Sequence, residues 1–472
     1  MAFLIGGANT LSGDLITNSL RFNGSNAYLN RTTSTASGNT KLTISFWTKG
    51  HSTGSSDVNY HFVKFDDVNN RTYLGMWDRE IRFYQTTSGS AAFYYQTQSN
   101  AFADAAAWYH FCLIVDTTDG TAGDRIKLYV NGTRYTDWQT ETQPSQNTTL
   151  RFATDTSTAL HIGRYADSTD YYFDGYMAEI HYIDGQDKAA SDFAETDDNG
   201  VWVPKKYTGT YGDEGFYLQF KETGTSANAS GKGADTSGNG NHFDDNNMDA
   251  YDITTDTPNN NFATLNPLIS KANGANTYSE GNCKISTSAD DYASGVSTIG
   301  VSKGKWYYEV KLISTGGTDG YTVGITADPN EDARLDVGDG NHAPLGNKAW
   351  SYGLNSYGTS SAKAIALNSG SEIDSNDSWA YQSANDIQMV ALDMDNNKLY
   401  FGENGTWGNS SDPTSGSTGT GAVDVSTSYD IYFVGAGSGN NTNSTVFELN
   451  FGNPPFSISS GNADANGYGN FE

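Results

Sequence analysis

The chain has 472 residues, with 52 glycines and 13% aromatic residues, and its 27 basic against 55 acidic residues give a formal net charge of −28. This length exceeds a single hydrophobic core and predicts several domains. The negative charge repels nucleic-acid phosphates and anionic membrane surfaces, so we expect no nucleic-acid partner and no membrane insertion. The two cysteines, Cys112 and Cys283, exclude a disulfide framework.

The N-terminal sequence MAFLIGGANT has a short apolar run with no basic region before it. This pattern does not fit a secretory signal. We predict that residues 1–17 form a docking segment that inserts into a neighbouring copy or attaches to a particle, so homo-oligomerisation is one expectation.

Residues 18–188 alternate between apolar and polar side chains and carry turn residues about every ten positions, which predicts β-sheet. In chain order the strands read SLRFNGSNAYL, ISFWTK, WYHFCLIVD, IKLYVNG, LHIG and FDGYMAEIHYID. This ordered series resembles the laminin-G-like, concanavalin A-like jelly-roll superfamily. The resemblance implies an antiparallel β-sandwich whose relatives include lectins, adhesion modules and some glycan hydrolases.

The hydrolases of laminarinase type in that superfamily place paired carboxylates as E-x-D-x-x-E on one strand. The nearest stretch here is EIHYID, in which His181 replaces the middle acid and Asp184 is offset. Glu179 and Asp184 then point to opposite faces of a strand. We therefore expect a non-catalytic strand with Glu179 and His181 on its solvated side.

Residues 189–270 are predicted to form an ordered connector. The strand GFYLQF and the apolar residues Phe243, Phe262 and Leu265 supply enough surface to pack on both neighbouring domains. Together with the jelly roll before it, the connector resembles structural proteins of marine tailed bacteriophages. That resemblance implies a virion protein, assembled in the host cytoplasm without a signal peptide, with other virion proteins as partners.

Residues 271–457 contain the clearest hairpin of the chain, DIQMVALDMDNNKLYFGENGTW, in which Asn404-Gly405 is a strong turn dipeptide. With GKWYYEV, VGIT and FELNFG in the expected order, this region resembles the SPRY family. That family is a β-sandwich that binds other molecules through its loops. Residues 328–347 depart from the family pattern, which leaves the ligand unassigned, and residues 458–472 are predicted to be a C-terminal tail.

Calcium is the one candidate cofactor, although none is required, because jelly rolls of this superfamily hold it in rim loops through Asp and Asn oxygens. The candidate ligands are Asp116, Asp119 and Asp124 in one loop and Asp235, Asn239 and Asn241 in another. The same residue types also favour exposed turns, so solvated loops remain the alternative. The histidines show no zinc spacing, and the chain has no nucleophile elbow and no phosphate-binding loop.

Aromatic residues in or beside polar loops are candidates for glycan binding, since a flat ring stacks on the apolar face of a pyranose. The candidates are Tyr94, Tyr95, Trp138, Tyr165, Tyr171, Tyr172, Trp350 and Tyr352. Such residues ordinarily pack within strands or cover the core, and that interpretation stays open.

The sequence predicts an all-β protein made of two antiparallel β-sandwich (jelly-roll) domains joined by an ordered connector. The predicted function is a non-catalytic virion protein of the tail-fibre or head-fibre type that binds host-surface glycan or neighbouring virion proteins through sandwich loops. One alternative is a capsid-decoration or architectural subunit without a glycan ligand. The other is a polysaccharide hydrolase, which needs two carboxylates about 5 to 10 Å apart in a cleft.

Overall fold

The computed structural model describes residues 15–34, 36–50, 58–154, 158–166, 171–269, 276–287, 293–314, 321–330, 345–356, 364–374, 383–438, 444–465 and 467–472. Within these residues the regular secondary structure consists almost entirely of antiparallel β-strands. It divides into two compact units, one extending to Asn261 and the other beginning at Phe262. The prediction of an all-β fold with two sandwiches is confirmed.

The first unit contains eighteen strands. They are β1 (Ser19–Asn23), β2 (Tyr28–Thr32), β3 (Lys41–Lys49), β4 (Val58–Asp67), β5 (Asn70–Trp77), β6 (Glu80–Thr87), β7 (Ser90–Thr97), β8 (Trp108–Asp116), β9 (Ile126–Val130), β10 (Thr133–Arg134), β11 (Trp138–Thr142), β12 (Ala159–Ile162), β13 (Asp174–Asp184), β14 (Ala194–Thr196), β15 (Trp202–Pro204), β16 (Phe216–Leu218), β17 (Asp244–Asn246) and β18 (Ile253–Thr254). The helix α1 (Arg151–Thr154) and three short 3₁₀ turns, Ala122–Asp124, Ala190–Asp192 and Ala250–Asp252, lie between them.

Two eight-stranded sheets form the first sandwich. Sheet 1 has the order β10-β9-β8-β3-β13-β1-β18, with β16 also paired to β13, and sheet 2 has the order β11-β7-β6-β5-β4-β12-β2-β17. One core joins the inward side chains of both sheets, with Leu42, Ile44 and Phe46 from β3 against Phe62 and Phe83 from sheet 2. Period-two alternation places these residues on the inner faces.

Tight turns set the register of several hairpins. Asn131-Gly132 and Asn404-Gly405 each have two consecutive positive φ angles, 46° with 78° and 47° with 80°. Two positive φ angles define the type I′ turn, whose twist matches that of paired strands. The hairpin predicted at Asn404-Gly405 is therefore confirmed, and Asn131-Gly132 forms the same kind of turn.

The predicted connector, residues 189–270, does not form a separate segment between the two sandwiches. Its strands β16, β17 and β18 pair with β13, β2 and β1, so they complete the two sheets of the first sandwich. Phe216, Leu218 and Phe243 belong to the same core as Phe46. Residues up to Asn261 are thus part of the first unit, while Ala263 and Leu265 already lie in the core of the second.

In the described residues of the second unit there are fourteen strands and the 3₁₀ turn Gly416–Thr418. They are β19 (Thr277–Ser279), β20 (Lys284–Ser286), β21 (Ala293–Val301), β22 (Lys305–Ser314), β23 (Tyr321–Thr326), β24 (Ser351–Ser356), β25 (Ala364–Asn368), β26 (Ser371–Asp374), β27 (Ile387–Asp393), β28 (Lys398–Glu403), β29 (Thr406–Trp407), β30 (Val423–Asp424), β31 (Tyr432–Ser438) and β32 (Val446–Asn450). Sheet 3 has the order β19-β20-β32-β22-β27-β28-β29, with β30 on β28, and sheet 4 has the order β21-β31-β23-β24-β25-β26.

Both ends of the described chain are anchored. Residues 1–14 of the predicted docking segment lie outside the described residues, but Ile16 is buried and its backbone N–H donates to Asn259 Oδ1 at 2.9 Å. The predicted C-terminal tail folds back onto the second unit, where Asn470 N donates to Gly452 O at 2.9 Å. The Phe471 ring meets the Tyr307 ring edge-on, with centroids 5.1 Å apart.

Candidate functional site

The outward face of sheet 2 carries an unusual number of aromatic rings. Tyr73 pairs with Tyr84 across β5 and β6, and Tyr84 pairs with Tyr94 across β6 and β7. Because side chains alternate along a strand, Leu74 and Phe83 point into the core and these three tyrosines point away from it. A row of rings therefore crosses three neighbouring strands on the outer side of the sandwich.

The rings of this row contact each other and extend over the neighbouring strands. Tyr73 lies 5.3 Å from Tyr84, and Tyr84 lies 5.4 Å from Tyr94, between ring centroids. Tyr60 of β4 lies 5.2 Å from Tyr73 and 5.4 Å from Trp77. We call the whole set the aromatic face: Tyr28, Tyr60, Phe65, Tyr73, Trp77, Tyr84, Tyr94, Tyr165, Tyr171 and Tyr172.

The aromatic face has a buried floor and an exposed upper layer. Tyr60, Tyr73 and Tyr165 are buried, and burial raises the pKa of the Tyr60 and Tyr73 hydroxyls. Tyr84 and Tyr94 are half-buried, and Tyr171 is 41% exposed. The outer face of an antiparallel sandwich is ordinarily polar, so a row of partly exposed rings makes this face a candidate binding surface.

A polar group borders the rings at the start of β6. Glu80 is only 2% exposed, and its carboxylate accepts hydrogen bonds from Arg82, from Gln96 Nε2 at 2.7 Å and from Ser99 Oγ at 3.2 Å. The Tyr94 hydroxyl donates to Gln96 Oε1 at 2.6 Å. Planar amide and carboxylate groups beside exposed rings are the combination that can bind sugar hydroxyls while a ring carries the pyranose.

Four of the aromatic residues predicted from the sequence, Tyr94, Tyr165, Tyr171 and Tyr172, lie on the aromatic face. Tyr95 does not, because it points into the core and is 1% exposed, which corrects the expectation that it is available to a sugar. Trp138 is half-buried at the edge of the core and meets the Tyr95 ring edge-on at 5.0 Å.

The two remaining candidates, Trp350 and Tyr352, belong to the second unit. Tyr352 belongs to the core of the second unit, and its hydroxyl accepts a hydrogen bond from Ser426 N at 2.9 Å, so it too is corrected as a surface residue. Trp350 is half-buried beside it.

Sequence reasoning missed the centre of the aromatic face. Tyr60, Tyr73, Trp77 and Tyr84 lie in strands that carry apolar or aromatic side chains on both faces. Alternation separates two sets of side chains but does not say which set faces the core when both are apolar. The signal that could have located this face is that these strands contain more aromatic residues than one hydrophobic core needs.

The first predicted calcium loop uses its carboxylates in local contacts. Asp116 pairs with Lys41 Nζ at 2.8 Å, and Asp124 pairs with Arg134 at 2.8 Å. Asp119 Oδ1 accepts the backbone N–H of Thr121 at 2.8 Å, which closes a turn. These contacts belong to an ordered surface loop.

The second loop folds around Asp235. Its two carboxylate oxygens accept the backbone N–H groups of Tyr217, Ser237 and Asn241 at 2.8 to 2.9 Å. The side-chain amides of Asn239 and Asn241 donate to the carbonyl of Gly215. In the part of the chain that the structure describes, no group of three or more His, Cys, Asp or Glu side chains is placed to hold a metal, and calcium at either loop stays a prediction.

The EIHYID stretch corrects one expectation directly. His181 is 3% exposed, not solvated, because β16 pairs with β13 and sets Tyr217 opposite His181. The Tyr217 ring stacks on the imidazole at 4.2 Å, and the Tyr211 hydroxyl lies 2.8 Å from His181 Nδ1. Glu179 has a φ of 46° at a bulge and binds the Tyr217 hydroxyl, so this acid serves the packing of the connector.

Comparison with known proteins gives one family match. Residues 23–191 match the model of the concanavalin A-like lectin/glucanases superfamily. The chain therefore contains a laminin-G/concanavalin A-like domain, and it is this domain that carries the aromatic face. Among curated proteins, none matches the sequence.

Solved structures similar to this chain include three β-sandwich proteins. They are domains LG4-5 of the mouse laminin α1 chain (TM-score 0.32, 11% identity, 96% of this chain and 95% of that one), the SPRY domain of human HERC1 (0.26, 14%, 35% and 86%) and a SAP-like pentraxin from Limulus polyphemus (0.26, 15%, 36% and 78%). At these identities and scores, the description of the fold rests on the strand pairing given above. Of the helices in the described ranges, none has the length and apolar character to cross a membrane.

Proposed function

We propose that this chain is a non-catalytic recognition protein that binds glycan on the aromatic face. The observation that carries the proposal is the row of Tyr73, Tyr84 and Tyr94 across neighbouring strands on the solvent side of sheet 2. Half-buried rings offer flat apolar surface at low entropic cost, because packing against neighbours already fixes them. Gln96, which Glu80 and the Tyr94 hydroxyl hold in place beside these rings, has a further lone pair on its amide oxygen that can accept a sugar hydroxyl.

The arrangement of acids supports binding without catalysis. Glycan hydrolysis needs one carboxyl group to exchange a proton and a second one to act as base or nucleophile. Glu80 on this face is buried, and its carboxylate already accepts hydrogen bonds from Arg82, Gln96 and Ser99, so it has no open contact with a bound sugar. Glu179 is covered by Tyr217.

The setting we propose is a phage virion, as an adhesion protein of the tail-fibre or head-fibre type. The support is the sequence resemblance of residues 18–270 to virion proteins of marine tailed phages, together with the family match to a lectin-containing superfamily. Other virion proteins, and further copies of this chain, are the protein partners of this proposal. A capsid-decoration role without a glycan ligand is the competing function.

A glycan array probed with the purified full chain tests the binding function. We expect a restricted set of glycans to bind, and we expect Tyr84→Ala and Tyr94→Ala each to weaken that binding at least tenfold, which is about 1.4 kcal/mol. The matched control is Tyr468→Ala, an exposed tyrosine of the second unit. If the chain binds no glycan on the array, or if all variants bind equally, the decoration role would be favoured.

A further inference from the structure

We propose that the glycan bound by the aromatic face is a polyuronate, an extended polysaccharide with carboxylates on its sugar rings, lying across the strands of sheet 2. This inference rests on the proposed function and names its ligand class. Two observations carry it: the width of the aromatic face and the position of its arginines.

The rings with exposed surface recur from one side of sheet 2 to the other. Tyr94 is on β7, Tyr84 on β6, Trp77 on β5, Phe65 on β4 and Tyr28 on β2. The order β7-β6-β5-β4-β12-β2 contains five strand spacings, which at about 4.8 Å each span about 24 Å. A terminal sugar contacts only a small part of such a row, whereas a polysaccharide chain running across the strands contacts all of it.

Three arginines lie on these rings. The Arg82 guanidinium is centred 4.5 Å over Trp77, Arg71 lies 5.7 Å over Tyr84, and Arg164 lies 4.4 Å over Tyr28. A guanidinium stacked on a ring is fixed in its plane, and its N–H edge stays available for hydrogen bonds beside the ring.

Two of the three arginines have no acidic partner in the described ranges of the chain. Arg82 pairs with Glu80, but Arg71 donates to the Tyr165 hydroxyl at 2.7 Å and Arg164 donates to the carbonyl oxygen of Ala166 at 2.9 Å. Arg71 and Arg164 place positive charge on this face of a chain that has 55 acidic and 27 basic residues. Their charge is complementary to an anionic ligand.

The geometry favours a carboxylate attached directly to a sugar ring. When a pyranose stacks on Tyr94, a carboxyl group on its ring carbon lies close to the level of the sugar ring, beside Tyr84, over which Arg71 lies; Arg164 lies over Tyr28 in the same way. The guanidinium fork binds a planar carboxylate through two parallel hydrogen bonds. A sulfate ester on a flexible oxygen link gains less from that fixed plane.

The two arginines also require an extended ligand. Arg71 is on β5, and the ring beneath Arg164 is on β2, three strand spacings or about 14 Å away. One chain of sugars reaches both guanidinium groups, while a single uronate reaches only one. The net charge of −28 opposes an acidic ligand at long range, but salt screens that repulsion beyond about 8 Å at physiological ionic strength, so contact is decided by the local arginines.

Calorimetric titration of the full chain at physiological salt tests the inference. The probes are polygalacturonate, alginate and polyglucuronate, each beside its uncharged methyl ester, with a length series from the disaccharide upward. We expect at least one acid to bind at least tenfold tighter than its ester, with affinity rising up to at least the tetrasaccharide. Equal binding of acids and esters, full affinity for a disaccharide, tighter binding of cellulose sulfate, or binding to none of the acids would overturn it.

Variants separate this inference from the proposed function. We expect Arg71→Gln with Arg164→Gln to remove the preference for the acid over its ester, and Arg134→Gln, an arginine of β10 paired with Asp124, to leave it intact. If the double variant unfolds, Arg164→Gln alone suffices, because the hydrogen bonds of Arg164 within the described ranges go to the backbone carbonyls of Tyr165 and Ala166. Unchanged preference in a folded variant contradicts the inference, while neutral glycan binding that still requires Tyr84 leaves the proposed function standing.

Poly-L-glutamate is the control for charge alone. It carries carboxylates but has no pyranose to stack on Tyr84 or Tyr94, so we expect it to bind at least tenfold more weakly than the best polyuronate. If poly-L-glutamate binds equally well, charge alone accounts for binding and no sugar is needed. That result would contradict both the inference and the proposed function.

Discussion

Acid should destabilise the first unit through two buried histidines. Trp202 Nε1 donates to His110 Nδ1 at 3.0 Å, and the His181 ring stacks on Tyr217 with its Nδ1 2.8 Å from the Tyr211 hydroxyl, so connector residues cover both imidazoles. Burial lowers the pKa of each to about 3, against about 6.5 in an unfolded chain. Both are therefore neutral in the folded protein at pH 5, while the unfolded chain takes up protons there.

The magnitude follows from this difference in protonation. A folded pKa below the unfolded value means that the stability contribution is complete above pH 6.5 and is lost as the pH falls toward 3. Between pH 7 and pH 5 each histidine removes about 2 kcal/mol from the free energy of unfolding. The loss continues at about 1.4 kcal/mol per pH unit for each group until the folded pKa is reached.

Urea unfolding of wild type and His181→Gln at pH 7 and pH 5 measures this effect. At pH 7 the variant should be less stable, because it loses the contact with Tyr211 and the stack on Tyr217. At pH 5 the gap should shrink by about 2 kcal/mol, since the variant has no histidine to protonate. Phe193→Leu, a buried neighbour that does not titrate, is the control and should keep its gap. A gap for His181→Gln that is equal at both pH values would refute the reasoning.

Three further outcomes follow from the packing. Phe46→Ala, which removes a ring packed on other core rings, should cost about 3 to 5 kcal/mol in urea unfolding, while Val68→Ala at a 63% exposed position should change it by less than about 0.5. Gly132→Ala should destabilise by more than about 1 kcal/mol, because φ is 78° and a Cβ would lie 2.7 Å from the Trp202 ring; an unchanged midpoint would contradict the turn geometry. Asp235→Ala should cost about 2 kcal/mol, because the backbone N–H groups that donate to this carboxylate would lose their partner; an unchanged midpoint would contradict this role.

Local chemistry made much of the fold predictable. Asn131-Gly132 and Asn404-Gly405 adopt the type I′ turns that these dipeptides favour, and their strands follow in register. Long-range pairing was less accessible. Strand β16 pairs with β13, although some thirty residues separate them in the chain. Neither the alternation of side chains nor the turn residues specify which strand edge such a distant segment pairs with.

The candidate site was predictable only in part, for the same reason. Tyr94 and Tyr95 are neighbours in one strand, so they point to opposite faces, and only Tyr94 keeps exposed surface. His181 was expected in solvent because the sequence of β13 alone does not indicate that residues 190–217 form a layer over it. The face of the strand on which each residue lies was predicted correctly. Whether that face is exposed depends on segments from elsewhere in the chain that pack on it.

Footprinting of the aromatic face by hydroxyl radicals, with and without a glycan identified on the array, tests its role most directly. Bound glycan should lower the oxidation of Trp77, Tyr84 and Tyr94 and leave Tyr468 of the second unit unchanged. Protection confined to the second unit, or none on these three rings while glycan is bound, would show that sheet 2 is not the binding surface.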